Sequence, residues 1–267
     1  MWIGSIDTHA TLRVILLGIG TALVASAIVA FLAIEQDRVE PPDKLLAAAV
    51  RKLGLESGFK NRNYLGDQFW LDLLTSAREH YRVLGVASHG YLSSAEQEEA
   101  SKNAFVAAIS GHGVEVELLF LKPDSDYAKK REQQEQRSTR ADIADAICWF
   151  WSLKQSLEDK RQRLLELYEY DETPTSGITW SDNRMIVTLY LARRLNLAAP
   201  GIVLKGPDGE LWTRYRSNFT EVKRKATVLS QERIDDLKVK AGNWRASGFR
   251  SESELRTSRN GDVDDAT

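Results

Sequence analysis

A histidine is the side chain best suited to chemistry near neutral pH, because imidazole can act as base, acid or nucleophile. Of the four histidines in this sequence, His89 is placed best. It follows Ser88 and a compact apolar run, Tyr81–Ala87, which predicts a strand. Residues just past the carboxyl ends of parallel strands face the crevice in which open α/β sheets bind ligands. The alternative, a loop histidine with a local hydrogen bond, stays open.

A second strand-like run, Val114–Leu121, leads into the segment Lys122–Arg131. Asp124 is expected to cap the helix that follows, whose N–H groups and positive end would then face the same crevice. Arg131 lies about two turns along that helix. This spacing predicts an anion pocket, although Pro-Asp-Ser is also simply a good turn and cap.

The segment Thr173–Tyr190 predicts a turn, a short strand, a polar hairpin and an apolar strand. Asp182 is the acid of this hairpin, and Arg184 follows it by two residues. The hypothetical ligand-binding set therefore comprises Ser88, His89, Asp124, Arg131, Asp182 and Arg184.

The common cofactor and metal motifs do not occur in the sequence. It has no Walker loop, dinucleotide fingerprint, Cys-x-x-Cys or His-Glu-x-x-His. The one cysteine, Cys148, lies in an apolar run and is interpreted as a small buried hydrophobe. No cofactor and no metal is therefore expected.

The elements around these residues predict an α/β domain. Tyr81–Ala87, a helix from Ser94 to about Ser110, and Val114–Leu121 form a strand, helix, strand unit, which is typical of two parallel strands. The rest is expected to include a long, mostly helical region from Asp126 to Tyr170, the hairpin, an apolar Gly201–Lys205, a short Leu211–Tyr215 and a helix from about Ser217 to Leu229.

The longest apolar run predicts one transmembrane helix. Val14–Ile34 contains no charged residue and matches a hydrocarbon core of roughly 30 Å. A cleaved signal peptide is the alternative, since Val24–Ala27 resembles a small-residue cleavage site. Basic residues after the span (Arg38, Lys44, Arg51 and Lys52) outnumber Arg13 before it, which predicts a cytoplasmic C-terminal domain.

Small residues line one face of this span, which predicts self-association of two helices and hence a homodimer. These residues are Gly18, Ala22, Ser26 and Ala30. The alternative is that small residues are common in any membrane helix. The predicted order is a flank (1–13), the transmembrane helix (14–34), a linker (35–43), an α/β domain (44–240) and a disordered tail (241–267). A net charge of −2 gives no global signal for nucleic-acid binding.

The order of several short segments along the chain resembles that in one half of a phospholipase D superfamily protein. The likeness is closer to the bacterial phospholipase D-like domains of unknown function. The resemblance covers roughly residues 65 to 229 and depends on Phe69–Leu74, Val83–Ala87, Gly113–Leu121, Pro123–Arg131, Ser181–Val187, Trp212–Phe219 and Ala226. It implies half of a phospholipase D-like α/β/α sandwich with a mixed sheet.

The resemblance also implies where catalytic residues would stand. Active members of the superfamily carry His-x-Lys-x-x-x-x-Asp, in which histidine attacks phosphorus and lysine balances the phosphate charge. With Asp182 in the acid position, Thr175 stands at the histidine position and Gly177 at the lysine position. No histidine of the chain is followed two residues later by lysine.

The sequence therefore favours a non-catalytic, single-pass protein of the bacterial inner membrane. It is expected to sense a ligand, such as a nucleotide or another phosphate-bearing signal, or to recruit a partner in signalling or defence. The rival hypothesis is a phosphodiesterase or lipid hydrolase that uses His89 with Asp124 and Arg131. A third is an interaction module that the anchor merely localises.

Overall fold

The computed structural model describes residues 50–87, 92, 94–190 and 199–246. The predicted span, flank, linker and the association residues Gly18, Ala22, Ser26 and Ala30 lie outside these ranges, as do Ser88 and His89. No helix within the described ranges combines the length and apolar character that crossing a membrane requires.

The described residues form a mixed α/β fold with one sheet of eight strands, in the order β1-β7-β6-β5-β2-β3-β4-β8. The strands are β1 (Leu55–Phe59), β2 (His80–Gly85), β3 (Glu115–Leu121), β4 (Leu165–Tyr170), β5 (Ser176–Ser181), β6 (Arg184–Leu189), β7 (Gly201–Lys205) and β8 (Thr227–Val228). The helices are α1 (Gly66–Thr75), α2 (Ala95–Val106), α3 (Asp126–Glu135), α4 (Thr139–Ser156), α5 (Asp159–Gln162), α6 (Glu210–Lys225) and α7 (Gln231–Arg245). A 3₁₀ turn (Arg62–Leu65) precedes α1, and a π-helix (Ala107–His112) extends α2.

The predicted parallel pair is confirmed, and β4 adds a third parallel strand. β2 pairs with β3, and β3 with β4, in parallel register. β4 lies at the end of the region that was predicted to be mostly helical, so that prediction is wrong for Leu165–Tyr170. The predicted hairpin is also confirmed, because β5 and β6 pair antiparallel around Asp182 and Asn183.

Helices pack on both faces of the sheet. On one face, Trp212 and Phe219 of α6 contact Trp180 of β5. On the other, Phe105 of α2 contacts Tyr81, and a second contact joins β3 to α4. Buried apolar side chains from three layers thus meet across the sheet, and each fully buried large one contributes roughly 1.5–3 kcal/mol.

The C-terminal third departs from the sequence prediction in two places. Helix α6 begins at Glu210, so it includes the segment Leu211–Tyr215 that was expected to stand apart. Helix α7 was not predicted and continues to Arg245, past the expected start of the tail at 241. Its buried residues recur at helical spacing, which explains why it docks: Ile234, Leu237, Ala241 and Trp244.

Gly54 and Gly209 allow two backbone segments to touch. A Cβ on Gly209 would lie 2.6 Å from the Gly54 Cα and 2.8 Å from the Leu53 carbonyl oxygen. Because both neighbours are backbone atoms, we expect Gly209→Ala to lower the free energy of unfolding by about 1–3 kcal/mol. Gly242→Ala is the matched control, since a Cβ there, in the last turn of α7, meets nothing within 4 Å. It should raise the free energy of unfolding by roughly 0.5–1 kcal/mol in urea titrations.

Candidate functional site

Two positions of the implied catalytic pattern lie at the edge of the sheet where its parallel strands end. The parallel strands β2, β3 and β4 end there. Strand β5 runs antiparallel to β2, so it begins at the same edge, with Thr175 and Gly177. Strand β6 returns to this edge and leads to Tyr190. We call this region the carboxyl edge.

The hydroxyl of Tyr190 covers Gly177. A Cβ built on Gly177 would lie 2.7 Å from the Tyr190 hydroxyl oxygen and 3.2 Å from the ring carbon that carries it. Real Cβ atoms essentially never approach that closely, so any side chain at this position requires the tyrosine to move. Strand β5 therefore has no side chain at the position where the resemblance implies a lysine.

Asp124 does not cap the helix that follows β3, so that prediction is wrong. The cap is Ser125, whose hydroxyl accepts a hydrogen bond from the Ala128 N–H at 3.1 Å. The Asp124 carboxylate instead faces two cations of α7, with Arg233 at 3.1 Å and Lys240 at 3.2 Å. Asp124 thus fastens helix α7 to the carboxyl edge.

Acids outnumber bases around Asp124. Arg233 also donates to Glu169, at 2.9 to 3.1 Å, and pairs with Asp236. Burial lowers the pKa of Arg233, but the hydrogen bonds to Glu169 and Asp124 outweigh it and hold that pKa above its ordinary value. Three carboxylates against two cations leave no surplus of positive charge at Asp124 for an added anion.

Arg131 is buried in a separate group of charges where α3 turns into α4. This elbow cluster comprises Arg131, Glu132, Glu135, Arg137, Arg140 and Asp142. The Arg137 Nε lies 3.2 Å from an Asp142 oxygen, and Arg140 donates to Glu132 at 2.7 Å. Arg131 pairs with Glu135, and only 5% of its side chain is exposed. Its charge is already used inside the protein.

Asp182 and Arg184 lie at the opposite edge of the sheet from Asp124, so one pocket cannot contain them all. The Asp182 carboxylate accepts backbone hydrogen bonds from Arg78 at 2.7 Å, from Glu79 at 3.2 Å and from His80 at 3.0 Å. Asp182 itself occupies the left-handed region, with φ 36°. Arg184 forms a two-point ion pair with Glu56. Both residues are structural here.

His80 begins β2 and lies beside Asp182. Its Nδ1 is 3.9 Å from the carboxylate, and its Nε2 accepts a hydrogen bond from Trp180 Nε1. Burial, reinforced by the charge of Arg82, lowers the pKa of His80, while Asp182 opposes the shift. Burial raises the pKa of Asp182, but the three backbone N–H groups and His80 outweigh it and lower that pKa.

These shifts predict how stability depends on pH. Both groups bind protons less readily in the folded chain, so acid favours unfolding. We expect the free energy of unfolding to decrease as pH falls below 6.5, the ordinary pKa of His80, and again below 3.8, that of Asp182. Urea titrations across this range should show a weaker first decrease in His80→Gln, in which an amide can still accept from Trp180. An unchanged pH dependence in that variant would contradict the assignment to His80.

A half-buried polar stripe on the α6 face of the sheet was missed from the sequence. Glu117 of β3 lies 2.9 Å from Arg82 Nε and 2.6 Å from Lys223 Nζ. The Arg82 guanidinium stacks 4.6 Å above the Trp180 ring. The alternation of residues in β3 could have revealed this stripe. Glu115 and Glu117 point to one face of the sheet, whereas the apolar residues directly before and after each of them point to the other. Each charge has a partner, so the stripe joins α6 to the sheet.

Among the described residues, no three His, Cys, Asp or Glu side chains are grouped as ligands. Thr175 is exposed at the carboxyl edge, whereas Asp182 lies beyond the six-residue strand β5 at the other edge, about 20 Å away. The three positions of the implied catalytic pattern thus do not converge.

No family model matches this sequence, and the comparison with curated proteins found no match. TrmBL2, an archaeal chromatin protein whose structure shows a novel mode of DNA binding, is 14% identical over 83% of this chain and 68% of its own, with a TM-score of 0.40. Nuc from Salmonella typhimurium, a phospholipase D family member, is 11% identical over 60% of this chain and 88% of its own, with a TM-score of 0.34.

Phosphatidylserine synthase from Haemophilus influenzae Rd KW20 is 13% identical over 71% of this chain, with a TM-score of 0.40. The match covers 45% of the synthase, so this chain spans less than half of that protein. The structural neighbours thus include a phospholipase D family member. Identities of 11 to 14% transfer no activity, ligand or partner to this chain.

Proposed function

We propose that the chain is a single-pass, membrane-anchored domain of phospholipase D-like fold that binds a phosphate-bearing ligand or recruits a partner, without hydrolysing phosphodiesters. The anchor is the apolar segment Val14–Ile34, and the domain is cytoplasmic. Bacterial signalling or defence is the setting that the resemblance suggests.

One observation carries the non-catalytic part of this proposal. At Gly177, the position implied for the charge-balancing lysine, the Tyr190 hydroxyl lies 2.7 Å from where a Cβ would begin. The histidine position is Thr175, whose hydroxyl forms no side-chain hydrogen bond among the described residues. Neither a covalent phosphohistidine nor a lysine-stabilised transition state can form from these residues.

The mixed sheet with helices on both faces supports the proposed fold. Segments that carry the resemblance become β2, β3, the β5–β6 hairpin and helix α6, in the expected order. Two copies paired through Gly18, Ala22, Ser26 and Ala30 would bring two such domains together. A ligand that binds one arrangement of the pair more tightly would shift its population, which is how sensing would reach the membrane.

Calorimetry tests the sensor part of the proposal. The purified full-length chain in mild detergent is titrated with a panel of nucleotides and with inorganic phosphate. We expect saturable heat for at least one phosphate-bearing ligand. Absence of heat for every ligand would rule out sensing of those ligands and leave partner recruitment.

The rival, a hydrolase built on His89, receives less support. Of its two expected helpers, Asp124 is held by Arg233 and Lys240, and Arg131 is buried with Glu135. His89 would have to act without either. Turnover that disappears in His89→Ala would restore this alternative.

A further inference from the structure

The chain enters the described domain beside the start of helix α6. A Cβ on Gly54 would lie 2.9 Å from the Gly209 Cα, and the Lys205 N–H donates to the Gly54 carbonyl at 2.9 Å. Strand β7 ends here at Lys205, opposite Arg184 of β6. The entry point therefore lies at the edge of the sheet opposite the carboxyl edge.

Exposed basic side chains lie on the chain segments that meet at this entry point. We call them the entry patch: Arg51, Lys52, Lys205 and Arg214, all exposed. The nearby acids are Asp208 and Glu210, and Lys52 pairs with Glu210 at 3.1 Å. Arg184 and Glu56 neutralise each other alongside. Four bases against two acids leave a positive surface.

Three members of the patch are available to an anion. In the part of the chain that the structure describes, Arg51, Lys205 and Arg214 form no side-chain ion pair. Clustering these unpaired cations does not stabilise the fold, because exposed charges of the same sign repel each other, although weakly. An external anionic surface would relieve that repulsion.

The sequence limits how far this patch can lie from a bilayer. Sixteen residue steps separate Ile34, the end of the predicted span, from Val50. Fully extended, they reach about 55 Å, and any other conformation is shorter. Tethering of this kind raises the effective concentration of headgroups at the patch, so contacts that are weak alone become populated.

We infer that the entry patch binds the anionic phospholipid headgroups of the membrane leaflet that faces the domain. This inference depends on the proposed anchor and adds to it an orientation of the domain. Lysine and arginine near an anionic leaflet are attracted within about one Debye length, so salt weakens the contact. The turn between β7 and α6 then faces the bilayer, and the carboxyl edge faces away, open to a ligand or partner.

Energy transfer between domain and bilayer tests this orientation. The full-length chain carries a donor dye at Ser57→Cys, an exposed position near the entry point, in a Cys148→Ser background. It is reconstituted into phosphatidylcholine vesicles, with or without phosphatidylglycerol, that contain an acceptor-labelled lipid. We expect greater transfer with phosphatidylglycerol, and loss of that increase at high salt.

Charge reversal gives the decisive comparison. Arg51→Glu with Lys205→Glu and Arg214→Glu should abolish the increase, and the corresponding glutamine variant should reduce it. The matched control reverses Lys102, Lys129 and Lys130, exposed lysines of α2 and α3, and should keep it. Equal transfer in both lipids, equal effects of patch and control, or failure to enter neutral vesicles would overturn the inference. Insertion into neutral vesicles, together with ligand heats retained by the patch variant, would show that the proposed function survives failure of the patch inference.

Discussion

Arg137→Met is expected to lower the free energy of unfolding by roughly 3–5 kcal/mol, the cost of removing one partner from a buried ion pair. Arg137 has 4% of its side chain exposed and lies 3.2 Å from Asp142, which has 1% exposed. It also lies 3.7 Å from Glu135. Methionine fills similar space but leaves two buried carboxylates without the guanidinium that offsets their desolvation.

Urea unfolding followed by tryptophan fluorescence measures this loss. Lys130→Met makes the same kind of change at an exposed position of α3 and should cost less than about 0.5 kcal/mol. Arg137→Lys keeps the charge without the planar fork, so an intermediate loss is expected. A loss below about 1 kcal/mol in Arg137→Met would mean that the elbow cluster is already solvated.

Asp182→Ala is expected to cost about 2–3 kcal/mol, because three backbone N–H groups lose one charged acceptor. Those groups belong to Arg78, Glu79 and His80, where the chain enters β2. The carboxylate is 26% exposed, so water replaces part of what is lost. The same change should also weaken the acid dependence of stability below pH 3.8, because the group with the lowered pKa is gone.

Two variants separate the charge of Asp182 from its backbone conformation. Asp182→Asn keeps one acceptor oxygen and tolerates the left-handed region, so it should lose less than alanine. Asp208→Ala removes an exposed aspartate from another turn and should be nearly neutral. Equal losses for alanine and asparagine would indicate that the charge contributes little.

The sequence predicted the elements with strong patterns. β2, β3 and the β5–β6 hairpin were found because their apolar runs have strand length and turn residues at their ends. Strand β4 was missed, although Leu165 and Leu167 alternate with polar neighbours, because the helical pattern before it was extended too far. Helix α7 was missed because its four buried residues are spread through a polar sequence.

The candidate site was predicted less well, because side-chain partners come from distant parts of the chain. Asp124 and Ser125 are both good caps, and only the structure shows that Ser125 acts and Asp124 turns toward Arg233. The charged stretch near Arg137 gives no sign of burial, since runs of mixed charge usually face solvent. Asp182 lies in the predicted hairpin, but the backbone N–H groups that donate to its carboxylate are about a hundred residues away in sequence.

The central claim is that this domain does not hydrolyse phosphodiesters. Its most direct test is turnover of bis(p-nitrophenyl) phosphate by the purified full-length chain, with an active phosphodiesterase as positive control. We predict a rate equal to the buffer blank, unchanged in His89→Ala and in Thr175→Ala. Saturable turnover that either substitution abolishes would contradict the account.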